Sequence, residues 1–370
     1  MTIGNLAQLA PWARTSPVAD PERERLVAAQ SGLIVHDGES LNCETPPEML
    51  GGRVTPTAQF YRRCHFPVPV LDPAAWRLDV GGLVDRPLSL SLHELSQLPA
   101  ETMVVTLECA GNDRARVQPS ADGVQWGPGA VGTAEWTGPR LQEVLRRAGI
   151  QPGAAEVVFR GADRGTVENS ADEIRYERSL PVADALGSDA LLAYAMNGRP
   201  LPARHGYPLR LVVPGWYGMA SVKWLSEIRV DSEPFRGFFQ DDHYVYERGG
   251  AREPVRLQQV RALITRPGTG QELARGALTI RGVAWSGAAP IERVDVSVAG
   301  GSWQKARLTG ASETHGWQHW EYLACGLGPG EVTIRARAAD LVGREQPEQP
   351  ECNRLGYGAN FIHEIGVVIR

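Results

Sequence analysis

The stretch TMVVTLECAGNDR, residues 102–114, decides the fold, because an apolar run ends there at a cysteine. The run from Met103 to Leu107 has the composition of a buried strand, and Cys109 stands at its end. A small-residue turn and the cation Arg114 follow. A thiol held at a strand end beside a cation suits a metal ligand or a nucleophile. The alternative is a small buried hydrophobic residue, as most free cysteines are, so the rest of the chain has to decide.

Length and charge restrict the class of protein. A chain of 370 residues exceeds one ordinary core and predicts two domains. A net charge of −5 argues against a general nucleic-acid binder, and no apolar run is long enough to span a membrane. The N-terminal stretch lacks the pattern of a secretion signal, so we expect a cytoplasmic location, with the periplasm as the alternative if a leader has been trimmed.

The cysteines exclude several further classes. They are odd in number, scattered, and form neither a CxxC pair nor a CxxCH site. This spacing argues against a disulfide framework, a zinc ribbon and an attached c-type haem. The five are Cys43, Cys64, Cys109, Cys325 and Cys352.

The first half of the chain alternates strands and short helices. Residues 1–50 are rich in turn formers and are interpreted as an arm laid over the first domain, which spans 51–233. Residues 138–150 predict a helix that Pro139 opens and Gly149 ends. No glycine-rich phosphate motif follows a strand, so a dinucleotide or NTP fold is not supported. Strands are predicted at 77–84, 155–162, 208–215 and 222–230.

The second half changes character. From residue 261 to 370 the pattern is of short strands separated by turns, with valines alternating with polar residues between 294 and 298. Such alternation predicts an immunoglobulin-like β-sandwich. Residues 234–260 connect the halves without periodicity and are rich in aromatic and charged residues, so we expect a loop that contributes to the site. The fold class is therefore α+β.

Five motifs in order resemble the sulfite oxidase family. CAGNDR resembles the family's CAGNRR, and FYRRCHFPVP at 60–69 resembles FxVRNHxPVP. The stretch of residues 191–225, LLAYAMNGRPLPARHGYPLRLVVPGWYGMASVKWL, is the most similar of all. GVQWGPGAVGTAEWTG at 123–138 and SGAAPIERVDVSVAGGSWQKARL at 286–308 complete the set. The resemblance implies a molybdopterin-binding domain followed by a β-sandwich dimerisation domain, and a homodimer.

The resemblance also implies roles for individual residues. Cys109 matches the thiolate that ligates molybdenum, and Arg63 and Arg114 match arginines that line the family's anion pocket. Tyr244 in FFQDDHY matches the tyrosine beside the metal, and Trp126 matches a tryptophan of the substrate pocket. Positions that hold Mo-molybdopterin match Arg63, His65, Asp163, His205, Arg210, Ser221, Val222 and Lys223.

The chain departs from the family pattern at several positions. Asp113 replaces the first arginine of CAGNRR, which would lower the positive potential beside the metal, and Cys64 replaces an asparagine. The family's C-terminal substrate arginine aligns with Leu355, while Arg354 lies one residue away and is assigned to the substrate pocket.

The implied activity is the oxidation of sulfite to sulfate. No haem motif accompanies the domain, so electrons pass to an external acceptor such as a cytochrome. The same cofactor would also support a reductase of nitrate or of a sulfoxide, since a pocket arginine is missing. A decayed, non-catalytic interaction protein is the remaining alternative.

Overall fold

The computed structural model describes residues 21–37, 41–168, 171–248, 250–351 and 353–370. The first twenty residues of the predicted arm and Cys352 lie outside the described residues. None of the helices in these ranges is long and apolar enough to cross a lipid bilayer. The α-helices in them are α1 (Pro21–Gln30), α2 (Leu92–Ser96), α3 (Leu141–Ala148) and α4 (Val182–Gly187).

The strands divide between the two halves of the chain. Those of the first half are β1 (Ile34–Val35), β2 (Cys43–Glu44), β3 (Leu78–Gly82), β4 (Leu88–Leu90), β5 (Ala100–Glu108), β6 (Val131–Pro139), β7 (Glu156–Thr166), β8 (Glu173–Pro181), β9 (Leu191–Ala193), β10 (Ala195–Met196), β11 (Arg199–Pro200), β12 (Arg210–Val212) and β13 (Leu225–Asp231). Those of the second half are β14 (Val245–Arg248), β15 (Ala251–Pro254), β16 (Arg261–Arg266), β17 (Glu272–Leu273), β18 (Leu278–Trp285), β19 (Ile291–Val298), β20 (Gln304–Lys305), β21 (Arg307–Thr309), β22 (Gln318–Ala324), β23 (Gly330–Asp340) and β24 (His363–Ile369).

Two main sheets build the first half. One has the strand order β4-β3-β13-β7-β8, in which only β3 and β13 run parallel among the pairs of that sheet. The other has the order β11-β10-β6-β5 and carries Cys109 just after its edge strand. Helix α3 packs Val144 and Leu145 into the core, and Gly149 ends it at φ +73°, a conformation that glycine adopts without strain. Pro139 does not open this helix as predicted, because it pairs with Ala100 as the last residue of β6.

The second half is the predicted sandwich. Its sheets have the orders β16-β18-β22-β21 and β17-β24-β23-β19-β20. The valines and isoleucines that alternate along β19 and β23 face a shared apolar core, as the period-2 pattern predicts. The α+β class is confirmed: a half that mixes helices and sheets precedes a β-sandwich. The exact domain boundaries stay predictions.

The arm and the connection contain more structure than the sequence indicated. Helix α1 and the β1–β2 pair lie within the predicted arm. Leu50, the last residue of the arm, packs between the two halves of the chain. The connection forms a π-helical turn at Phe238–Asp242 and the β14–β15 hairpin. Short hairpins with mixed polarity lack the regular alternation that marks a half-buried strand. The β14–β15 hairpin was therefore not predictable from the residue pattern.

The sandwich packs directly on the strand that leads to Cys109. His315 forms a bridge with Val105, and its carbonyl accepts a hydrogen bond from the Thr106 amide over 2.9 Å. Gln258, of the connecting segment, donates to the Thr106 carbonyl over 3.0 Å. The end of β5 is therefore held by both halves of the molecule.

Candidate active site

Cys109 begins a turn that backbone hydrogen bonds hold against the neighbouring chain. Its amide donates to the Ala130 carbonyl over 2.8 Å, and its carbonyl accepts from the Asn112 amide over 2.9 Å. The Asn112 side chain accepts from the Ala130 amide over 3.0 Å and so closes the turn against β6. This geometry fixes the thiol at the inner end of β5, where it is buried.

A glycine allows the turn to approach the neighbouring cation. A Cβ on Gly111 would lie 2.4 Å from the Arg114 guanidinium, so no larger residue fits without displacement of that side chain. Arg114 is itself buried and donates to the carbonyls of Leu355 and Val124 over 3.0 and 2.9 Å. Its charge acts on Cys109 from behind the turn.

Cys109 faces a cavity with a strongly positive lining. The cavity brings together nine of the residues that the sequence assigned to the site: Arg63, His65, Cys109, Asp163, His205, Arg210, Ser221, Lys223 and Tyr244. Four arginines and a lysine line it, against the single carboxylate of Asp163: Arg62, Arg63, Arg204, Arg210 and Lys223. Such a lining is suited to an anionic group.

Tyr244 is aimed into this cavity by an unusual backbone. It has φ +55°, a left-handed conformation that is uncommon outside glycine, and its side chain lines the cavity. Its hydroxyl lies 2.8 Å from the His65 Nε2, and its ring stacks on Tyr357 with centroids 4.9 Å apart. The tyrosine is thus fixed by contacts on its ring and on its hydroxyl.

Burial sets the protonation of the site. Burial raises the pKa of the Cys109 thiol above its ordinary value, although Arg114 and Arg63 oppose the shift. Burial also raises the pKa of the Tyr244 hydroxyl and brings that of Asp163 to about 6. Burial lowers the pKa of Arg210 to about 10, within the range where it remains a cation at neutral pH. Without a metal, therefore, the thiol is neutral and the arginine charged.

Four predicted residues do not line the cavity. Trp126 is wholly buried in an apolar cluster, and Val222 packs in the main core. Arg114 lies behind the turn, as described. Arg354 is more than half exposed and forms an ion pair with Glu247 over 3.2 Å, so the structure does not bring it to the substrate pocket. The roles that the sequence assigned to these residues stay predictions.

Two positions that depart from the family motifs, Asp113 and Cys64, make defined contacts. Asp113 does not line the cavity, and its carboxylate accepts from Arg261 over 2.7 Å. Its effect on the potential beside the metal stays a prediction. Cys64 Sγ lies 2.9 Å from the Lys223 Nζ, which also donates to the Arg63 carbonyl over 2.9 Å. Lys223 therefore holds the Arg63 segment in place.

Some residues of the site were missed from sequence. Tyr61 and Arg62 stand inside the FYRRC motif, and Arg204 precedes His205, so their motifs could have drawn attention to them. Tyr176, which stacks on His65 at 5.0 Å, lies in a strand with no motif of its own. Arg261 likewise gives no local signal, because its importance comes from partners about 150 residues earlier.

The cavity fits a phosphorylated pterin with a sulfur-bound metal. Asp163 Oδ1 and Arg210 Nε are buried and have no hydrogen-bond partner among the described residues. A pterin presents donors that suit the carboxylate, and a phosphate presents acceptors that suit the guanidinium. The buried Cys109 thiol supplies the soft ligand that molybdenum would take.

Comparisons with known proteins agree with this fit. The family model for the oxidoreductase molybdopterin binding domain matches residues 65–239, and that for the Mo-co oxidoreductase dimerisation domain matches residues 253–370. The chain is 36% identical to the mitochondrial sulfite oxidase of Homo sapiens, over 99% of this chain and 71% of that protein. It is 32% identical to the NADH nitrate reductase of Ulva prolifera, over 86% of this chain and 40% of that protein.

A solved structure extends the comparison to the whole fold. The sulfane dehydrogenase SoxCD from Paracoccus pantotrophus matches with a TM-score of 0.81 and 27% identity, over 98% of this chain and 95% of that one. Fold and site together define a molybdenum-dependent oxidoreductase that uses a molybdopterin cofactor. The chain belongs to the sulfite oxidase family.

The two cavity histidines should remain neutral at physiological pH. Burial, aided by Arg63 and Lys223, lowers the pKa of His65 well below 6.5, and burial with Arg62 and Arg210 does the same for His205. We predict neutral imidazole signals from about pH 8 to about pH 6 in ¹H–¹⁵N spectra of histidine-labelled protein, whereas both side chains titrate near 6.5 in the urea-unfolded chain. His65→Gln and His205→Gln assign the signals. A folded-state titration near 6.5 would contradict this electrostatic account.

Proposed function

We propose that this protein oxidises sulfite to sulfate with Mo-molybdopterin held in the Cys109 cavity. One observation carries the proposal: a buried thiol and a tyrosine hydroxyl share a cavity lined by five cations and a single carboxylate. The likeness to proteins named sulfite oxidase supports sulfite as the substrate. When bound, the cofactor supplies oxygen-atom transfer and accepts two electrons.

The residues of the chain would hold the cofactor by its charged and polar parts. Cys109 Sγ would ligate molybdenum and lose its proton, because a bound metal ion deprotonates a coordinating thiol. Arg210 and Lys223 would neutralise the phosphate, and Asp163 would accept from the pterin. His65, His205, Ser221 and the backbone at Val222 would complete the enclosure.

The substrate would be captured by local charge. Arg63 lines the cavity beside Tyr244 and would donate charge-assisted hydrogen bonds to the sulfite oxygens. Arg114 would add to the positive field from behind Cys109, and the Tyr244 hydroxyl, held by His65, would donate to a substrate or product oxygen. Capture of a dianion is then favourable despite the net charge of −5, since the field at the cavity is local.

Nitrate or sulfoxide reduction is the second candidate, and Leu355 is the observation that favours it. An apolar side chain at that position, with Arg354 paired to Glu247, leaves less positive charge for a dianion. The nitrate reductase that matches is less similar than the sulfite oxidases, so we place sulfite first. A decayed interaction protein is disfavoured because Cys109, Arg63 and Tyr244 remain together in one cavity.

Electrons would leave to an external carrier such as a cytochrome. The acceptor would need access to the protein surface near the cavity that would hold the cofactor. A cytoplasmic location stays a prediction.

We predict that the purified protein, from a host that makes the cofactor, reduces ferricyanide with sulfite and that Cys109→Ser abolishes this activity. Serine keeps the size of the side chain but supplies a hard hydroxyl in place of the soft thiolate. Cys325→Ser is the matched control, since that thiol is exposed. Steady-state rates with nitrate and reduced viologen test the alternative. Turnover of nitrate alone, or wild-type activity in Cys109→Ser, would contradict the proposal.

Arg63→Gln should raise the KM for sulfite about tenfold to a hundredfold, which corresponds to the loss of one or two charge-assisted hydrogen bonds. The midpoint of thermal unfolding should change little by comparison. Arg252→Gln, which removes an exposed arginine of the β14–β15 hairpin, should leave both quantities unchanged. If Arg63→Gln lowers the unfolding midpoint as strongly as it weakens sulfite binding, Arg63 stabilises the fold and the proposed role in substrate binding is wrong.

The sandwich should assemble two copies of the chain. The match of residues 253–370 to a dimerisation domain supports a homodimer. Sedimentation velocity at micromolar concentration should give about twice the 40.2 kDa mass of one chain. A single species with the mass of one chain at that concentration would show that this sandwich does not dimerise.

A further inference from the structure

Arg261 is a buried cation that the proposed reaction does not use. It is the first residue of β16, in the sandwich, and its side chain is 1% exposed. Its guanidinium donates to Asp113 Oδ2 over 2.7 Å and to Glu108 Oε1 over 3.3 Å. It also donates to the carbonyl of Ala359 over 3.3 Å. One side chain thus joins the sandwich to both sides of the Cys109 turn.

The two carboxylates bracket the thiol. Glu108 directly precedes Cys109 and is held by the indole of Trp285 over 2.9 Å and the amide of Asn112 over 3.0 Å. Asp113 follows the turn at φ +67°, a left-handed conformation that needs outside support in a residue other than glycine. Both side chains are 1% exposed, so Glu108 depends on Arg261 and its hydrogen bonds for compensation, and Asp113 depends on Arg261 at 2.7 Å and on Arg116 at 3.5 Å.

The same guanidinium fixes the segment that covers the site. Ala359 lies next to Gly358, whose amide donates to the Ala110 carbonyl over 2.8 Å. Tyr357, one residue earlier, stacks on Tyr244. Arg261 therefore contacts both the carboxylates on either side of Cys109 and the C-terminal segment, which also bonds directly to the Cys109 turn.

We propose that Arg261 is a positioning residue for the metal ligand, acting through Glu108 and Asp113. This rests on the proposed function in one respect, the assignment of Cys109 as the ligand. A buried ion cluster is a weak source of stability, because well-packed neutral side chains of similar volume often stabilise as much. The planar guanidinium donates its hydrogen bonds in fixed directions, so it holds the two carboxylates of one turn at defined positions.

The decisive comparison is between breaking the cluster and neutralising it. Arg261→Met removes the cation paired with Glu108 and leaves Asp113 beside the partly exposed Arg116 at 3.5 Å, so it should lower the unfolding midpoint markedly. The triple variant Glu108→Gln, Asp113→Asn, Arg261→Met removes the charges of these three side chains and should restore that midpoint. Arg160→Met is the matched control, since Arg160 also bridges two carboxylates, Glu177 and Glu227, but in the sheet away from Cys109.

Two readouts separate positioning from stability. Alkylation of Cys109 in cofactor-free protein can be followed by peptide mass spectrometry at one pH. Its rate should rise several-fold in the triple variant, because the turn has lost its contacts with Arg261. Molybdenum retained after dialysis should fall about tenfold or more, the range for groups that orient metal ligands. The control should match wild type in both. A triple variant with wild-type alkylation and molybdenum retention would overturn the proposal.

Arg261→Lys keeps the experiment decisive if the triple variant does not fold. Lysine retains the buried charge but lacks the fork that reaches both carboxylates. Faster alkylation of Cys109 in this variant supports positioning, and an unchanged rate overturns it. If wild-type protein binds no molybdenum, the proposed function fails, while the alkylation comparison still decides the role of Arg261.

Discussion

The position of one thiol, at the end of β5, is the constraint around which the molecule is arranged. The strand is paired along its length with β6, while His315 of the sandwich and Gln258 of the connecting segment hydrogen-bond to Thr106 on its other edge. The turn after the strand is closed by Asn112 and tied to the sandwich by the Arg261 cluster. A metal ligand needs this kind of fixation, because an error of about 1 Å in a reacting group is costly. The sandwich therefore supports the site as well as the proposed dimerisation.

Charge is distributed as the proposed chemistry requires. The chain is acidic overall, yet five cations meet a single carboxylate in the cavity. Burial keeps the histidines neutral and the tyrosine protonated, so the positive charge of the lining comes from arginine and lysine alone. Such a lining favours anions at neutral pH and does not depend on the titration of a histidine.

The sequence predicted much of the fold and of the site, and the features that it did not predict share a physical reason. The predicted features depend on residues that are close together in the sequence. They are the strand at Met103–Leu107, the alternation in β19 and β23, and the motif residues around Cys109. Arg261 and Tyr176 were missed because their partners are distant in the chain. The sequence also could not show that the Asp113 carboxylate pairs with Arg261, 148 residues later. The β14–β15 hairpin lacked periodicity, and the positive φ of Tyr244 has no signature in composition.

The central claim is that Cys109 binds molybdenum inside the cation-lined cavity, and anomalous diffraction at the molybdenum absorption edge tests it most directly. Crystals of protein from a host that makes the cofactor should show one strong anomalous peak per chain, at bonding distance from Cys109 Sγ and between Arg63 and Tyr244. A map with no such peak in that cavity, or with the metal bound elsewhere on the chain, would contradict the account.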